Sequence, residues 1–189
     1  MKRWLPALLI VLLLAGFRLL GSIYSQSLPN FQPLPALLLC GVVFLKGPER
    51  WLLPLTAWLI TDPLTSLAQH NSILGWHNLS VPLGLVVTAG IALLARRRPT
   101  LLPVLGSSIL AALAFYFVTN LVSFVVDPLY AKTWNGFVQC QWTGPAGMGS
   151  TWPFLRNMLA ANLLFSGLFM AARQSLPQVA TKPSRALAR

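Results

Sequence analysis

Six stretches of the chain are almost wholly apolar, at residues 4–23, 34–45, 51–67, 81–95, 101–126 and 152–172, with polar residues collected in the interruptions between them. Apolar runs of this kind cross a hydrocarbon core of ~30 Å as helices, because lipid offers no partner to an unsatisfied backbone N–H or C=O. The ~10-residue apolar/polar alternation of a membrane β-barrel strand is missing. The pattern predicts an all-α fold, a polytopic membrane bundle of six transmembrane helices in one domain over residues 1–173. A basic, aperiodic tail at 174–189 reads as a disordered cytoplasmic end suited to anionic lipid. The second run is short: residues 34–45 make a helix of only ~18 Å. Pro33 and Pro35 suit its first turn, and it needs length borrowed from Phe31, little tilt, or shelter from neighbouring helices.

The interruptions are of two kinds. Lys46-Gly47-Pro48-Glu49-Arg50 and Arg96-Arg97-Arg98-Pro99-Thr100 are short and basic, whereas 25–33, 68–80 and 127–151 are longer, nearly free of Lys and Arg, and rich in Trp, Asn, Gln and Gly. Of the 14 Lys and Arg residues, all but Arg18, Lys132 and Arg156 fall on one side of a six-span arrangement. The positive-inside rule then places both termini in the cytoplasm, with the protein multi-pass in a bacterial inner membrane. Composition agrees. Only 9% of residues are charged and 56% are hydrophobic, against about 25% charged in soluble domains, too little to coat a globular surface. The net charge of +11 does not point to nucleic acid, since the basic residues sit between apolar runs and not on one soluble face. Met1-Lys2-Arg3 and the run behind it resemble a secretory signal, but the apolar stretch continues through Phe17-Arg18-Leu19-Leu20 without a small-x-small site, so an uncleaved first helix is expected.

Ionisable residues at membrane depth are costly, which makes each a functional hypothesis. Arg18, Asp62, Asp127 and Arg156 all fall in the outer half of the bundle or at its outer rim. The plain alternative is a pair of salt bridges locking helix ends. Helical spacing extends these residues into polar stripes: Tyr116, Asn120, Ser123 and Asp127; Trp58, Asp62, Thr65 and Gln69; Arg18, Ser22 and Ser25; Asn162 and Ser166. A polar stripe faces protein or water in preference to lipid, so the stripes are expected to meet inside the bundle. Trp76, Trp134, Trp142, Trp152, Tyr24 and Tyr130 suit an interfacial belt. Trp76 and Trp142 lie within long loops, where an aromatic can also stack on a flat ligand.

Metal and catalytic signals are weak. His70 and His77 have no companion acid or thiol nearby, and Cys40 and Cys140 sit in unlike surroundings, so neither a metal site nor a disulfide is expected. Gly144-Pro145-Ala146-Gly147-Met148-Gly149-Ser150 lacks the Gly-Lys-Ser/Thr ending of a phosphate loop and reads as a flexible lid or linker. There is no Gly-x-Ser-x-Gly, no His-Glu-x-x-His and no paired carboxylates in one segment, so neither an enzyme nor a cofactor is expected. Gly84 with Thr88, Ser107 with Ala111, and Gly167 with Ala171 are small-xxx-small pairs that predict close helix contacts.

Several segments carry a resemblance: Pro29-Asn30-Phe31-x-Pro33, Trp51-x-x-x-Pro54-x-x-x-Trp58-x-x-Thr61-Asp62, Thr119-Asn120-Leu121, Leu129-Tyr130-x-Lys132-Thr133-x-x-Gly136 and Phe154-x-Arg156-Asn157-x-Leu159. Together they resemble an uncharacterised family of short bacterial membrane proteins over residues 18–169. That family is similar in size, span count and loop pattern to the substrate-binding S components of energy-coupling-factor vitamin transporters. The likeness implies outer loops covering a ligand near the outer face, and a cytoplasmic face docked on an energising module. Two departures stand out. Spacing of four from Ala7 gives Val11 and Ala15, not an Ala-x-x-x-Ala docking pattern, and Asn162 stands where an acid is expected. The reading is a membrane-embedded capture subunit for a vitamin-like or metal-bearing small molecule. Its expected binding residues are Arg18, Asp62, Trp76, His77, Tyr116, Asn120, Asp127, Trp142 and Arg156. The alternative is a non-transporting structural subunit of a larger membrane complex.

The charge pattern makes a direct prediction. With Cys40 and Cys140 replaced by alanine, single cysteines at positions 47 and 99 are expected to stay unmodified when a membrane-impermeant thiol reagent is added to intact cells. Labelling of a cysteine at position 47 would reverse the orientation.

Overall fold

Prolines set several of the helix starts. A ring at the first turn replaces an N–H that would have no intrahelical partner, and its fixed φ suits the helix. Pro35, Pro103 and Pro153 each lie within the first three residues of a helix. The structure, a computed structural model, describes residues 15–21, 23, 24, 27–68, 72, 75 and 79–175, with side chains up to residue 172. A first helix, α1, is described over residues 15–21. It is followed by α2 (Leu34–Phe44), α3 (Glu49–Ala68), α4 (Ser80–Ala95), α5 (Leu101–Val126), α6 (Trp134–Gln141) and α7 (Trp152–Ser175). Among the described residues there is no strand. The fold is all-α, and α5 and α7 contain stretches long and apolar enough to cross a membrane.

The short second run is sheltered. Every residue of α2 from Leu34 to Val43 is buried, and α3, α4, α5 and α7 pack around it. A helix hydrophobic all round suits a protein core or lipid, and its burial here means that its length need not match the thickness of its surroundings. Leu39 and Val42 of α2 join Phe115 of α5 and Met158 of α7 in the main core.

The surface, more than the core, departs from that of a soluble protein. Thr88, Ser108, Asn162 and Ser166 are fully buried, while Leu59, Val86, Leu94, Leu102, Leu110, Val125 and Leu164 are exposed. Monomeric soluble proteins seldom leave extensive apolar surface uncovered.

Small residues decide how closely the helices approach, though not at every predicted place. A Cβ on Gly84 would lie 2.6 Å from the Phe115 ring, so α4 and α5 meet ring on backbone, and Thr88 turns its hydroxyl to the Gly84 carbonyl at 2.9 Å. In the second pair Ala111 is fully buried, whereas Ser107 is half-buried beside a surface groove. The third pair makes no such contact: a Cβ on Gly167 would meet nothing within 4 Å and Ala171 is exposed. Among the described residues nothing packs closely on that face of α7, which a small-residue spacing alone cannot reveal. An unpredicted close approach joins α2 to α3. Pro54 has no N–H for the Arg50 carbonyl four residues back, and a Cβ on Gly41 would lie 3.2 Å from that oxygen.

Gly84→Ala is expected to lower the thermal midpoint in detergent, because the added methyl must displace a buried ring, an overpacking cost of ~1–3 kcal/mol. Gly90→Ala on the same helix meets nothing within 4 Å. It is expected to hold or raise the midpoint, by up to ~1 kcal/mol of helix propensity.

Candidate functional site

An arginine in an apolar bundle needs acceptors for its guanidinium. Arg18 finds two on neighbouring positions of α3. Its Nη2 donates to Asp62 Oδ1 at 2.7 Å, and its Nη1 donates to Thr61 Oγ1 at 2.8 Å. Thr61 in turn donates to the Ala57 carbonyl at 2.6 Å, so its hydroxyl is used in both directions. The two charged side chains are 8% and 17% exposed. The space beside them, bordered by Pro33, Leu34, Leu37 and Ala57, is about 10 Å³, near the lower limit for a single water.

A second polar cluster forms where the segment after α5 folds back on that helix. This segment, a long loop by its sequence pattern, contains α6. Thr133 caps α6 by accepting from the Gly136 N–H at 3.2 Å. Gly136 is required there, since a Cβ would lie 1.9 Å from the Ala131 carbonyl oxygen. Tyr116, 1% exposed, donates from its hydroxyl to the carbonyls of Gln141 and Thr151. Asn120 donates to Gln141 Oε1 at 3.4 Å, and the Cys140 thiol donates to the Asn120 carbonyl at 3.1 Å. Phe137 packs edge-on against Phe124 at 5.6 Å. Burial pushes the Cys140 thiol up in pKa and raises the Tyr130 phenol to about 12, with Cys140 adding to the effect. Both groups stay protonated at neutral pH, so Cys140 has the character of a packed side chain and not of a thiolate ligand.

The glycine-rich run after α6 is a closed turn, not an anion cradle. Gly144 has φ +72°, and its N–H donates to Gln139 O at 2.8 Å. Ser150 Oγ reaches the Trp142 carbonyl at 2.6 Å, which also accepts from the Thr151 and Trp152 N–H groups.

The remaining expected residues go elsewhere. Asp127 ends α5 and accepts from the Leu129 N–H at 2.9 Å. Lys132 donates to the Phe124 and Asp127 carbonyls, placing positive charge at the negative end of α5. Arg156 is exposed, lies over the Trp152 ring at 5.3 Å and donates to Asn157 Oδ1 at 3.2 Å. Trp142 is exposed at 44%. Trp76 and His77, like His70, lie outside the described residues. Among the described residues of the polar stripes, Arg18, Tyr116, Asn162 and Ser166 are buried, and Ser166 bonds Ser108 at 2.9 Å. Arg18 with Asp62 and Tyr116 with Asn120 fall in two separate hydrogen-bonded clusters, while Ser22, Ser25 and Gln69 lie outside the described residues. Among the described residues no three His, Cys, Asp or Glu side chains gather as a metal group.

Sequence reasoning missed Thr61, Gln141 and Asn157. Asn157 donates to the Pro29 carbonyl at 3.0 Å, beside Asn30, whose φ of +58° is one that Asn tolerates better than most residues. A sequence signal existed for α6, since Trp134, Phe137 or Val138, and Gln141 follow helical spacing behind a threonine cap. Two of the segments that carry the resemblance therefore meet in space, through Pro29 and Asn157, and Thr133 with Gly136 closes a helix cap within a third.

Over residues 1–184 the chain matches a family described as a family of unknown function (DUF6580). Neither a curated protein nor a solved structure matches it.

Asp62→Asn removes the charge that balances a buried guanidinium. It is expected to cost ~3–5 kcal/mol, seen as a lower thermal midpoint in detergent, whereas Arg18→Met with Asp62→Leu recovers most of that loss. An unchanged midpoint for Asp62→Asn would show that the pair does not hold the bundle.

Proposed function

This chain belongs to that family of unknown function, and we propose that it is a six-span inner-membrane protein, both termini cytoplasmic, serving as a structural subunit of a larger membrane complex. The membrane placement is supported by two helices of spanning length, by leucines outside and hydroxyls and amides inside, and by basic residues confined almost wholly to one side of the predicted spans. One observation carries the structural role. Arg18 and Asp62 are consumed by each other and by Thr61, with about 10 Å³ left beside them, whereas a small-molecule site needs roughly 300–1,000 Å³.

Capture of a vitamin-like molecule needs Arg18, Asp62, Asn120 and Arg156 to border one outward cavity. Their bonds instead run to Thr61, Gln141, Asn157 and each other. The S-component likeness rests on size, span count and loop pattern.

A native mass spectrum of the gently purified full-length protein separates the two roles. The expected result is the chain retained with a partner polypeptide and without a bound non-lipid small molecule. A lone chain carrying one such molecule would overturn the structural role in favour of capture.

A further inference from the structure

Arg96, Arg97 and Arg98 turn the chain from α4 into α5, and all three are exposed. Little in the chain can neutralise them. It contains 3 acidic residues: Asp62 is held by Arg18, Asp127 ends α5 at its far end, and Glu49 opens α3, a helix packed chiefly on α2. Among the described residues these arginines form no ion pair. Thr100 makes no side-chain cap bond, so the positive end of α5 adds to the same electropositive spot.

Next to this spot lies a groove of about 560 Å³ between α4 and α5. Arg97 and Arg98 line one part of it, and Leu94, Gly106, Ser107 and Leu110 are among the residues that line the rest. Leu94 and Leu110 are 62% and 53% exposed, and a Cβ on Gly106 would meet nothing within 4 Å. The site thus joins two unneutralised guanidinium groups to an open apolar channel on the outer surface of the bundle. An anionic headgroup attached to an acyl chain matches both halves; a soluble anion would use only the arginines.

We propose that the α4–α5 groove binds one anionic phospholipid, its phosphate at Arg97 and Arg98 and an acyl chain along Gly106, Ser107 and Leu110. This rests on the membrane placement proposed above, with the Arg96–Arg98 turn at the cytoplasmic leaflet. It gives that face a specific lipid contact in addition to general attraction of basic residues to anionic lipid.

The test uses full-length protein in detergent, titrated with phosphatidylglycerol or with phosphatidylcholine of the same acyl chains, and read by native mass spectrometry. One phosphatidylglycerol per chain is expected, with phosphatidylcholine much weaker. Arg97→Gln with Arg98→Gln should weaken binding by roughly thirtyfold, taking about one kcal/mol per charge at a membrane surface. Gly106→Leu keeps every charge, fills the groove, and should also abolish the one-to-one complex while keeping the parent's thermal midpoint. Lys46→Gln removes a charge that does not line the groove and should leave binding unchanged. Equal binding of the two lipids would overturn the proposal, as would full binding by Gly106→Leu, which would mean charge adsorption alone. Displacement by soluble glycerol phosphate as readily as by lipid would mean a free phosphate ester, and would also overturn it. The partner-retention spectrum is a separate measurement, so loss of the groove site leaves the structural role to be judged by its own test.

Discussion

The bond between Arg18 and Asp62 ties α1 to α3 through the interior of the bundle. α3 packs chiefly on α2, and α1 meets the rest through contacts such as Phe17 on Phe165 at 5.2 Å. An ionised side chain in an apolar interior is tolerable only when its partner and further hydrogen bonds replace the water it has lost. Arg18 therefore brings α1 to the position on α3 where a carboxylate and a hydroxyl stand side by side. The return of the chain is equally constrained. A Cβ on Gly21 would lie 2.6 Å from the Phe31 carbonyl, and the Pro29 carbonyl is taken by Asn157 on α7.

With that side closed, α2 becomes the centre. Every residue from Leu34 to Val43 is buried, and α3, α4, α5 and α7 surround it. The polar groups of those helices then have two options, a partner inside the bundle or exposure on its outer surface. Ser108 with Ser166, Thr88 with the Gly84 carbonyl, and Asn162 with the Met158 carbonyl take the first. The outer surface is left to leucine and valine. Under the proposed placement this is the arrangement that hydrocarbon selects.

At the far end of α5, the segment through α6 is bonded down onto that helix. Its contacts use Tyr116, Asn120 and Cys140, residues whose positions on a stripe had suggested ligand binding. A stripe states only that a face is polar. Whether its groups meet a ligand, water or one another depends on what the chain lays over them, and here that is Gln141 and the Thr151 carbonyl.

What sequence alone determined is whatever follows from one-dimensional pattern. Apolar runs defined α2, α4, α5 and α7 to within a few residues, since the cost of leaving backbone groups unpaired in an apolar medium acts locally. That Asp62 could pair with an arginine was legible, because the ionisable residues at membrane depth are only Arg18, Asp62, Asp127 and Arg156. Tertiary structure alone decided which arginine it takes, that Thr61 shares the guanidinium, that Gly84 and Gly41 are contact points while Gly167 meets nothing close among the described residues, and that Arg18 with Asp62 and Tyr116 with Asn120 sit in separate clusters. Those outcomes depend on helix rotation and on the fold-back of residues 127–151. Both are set by distances between residues far apart in the chain, and spacing along a single helix carries no information about them.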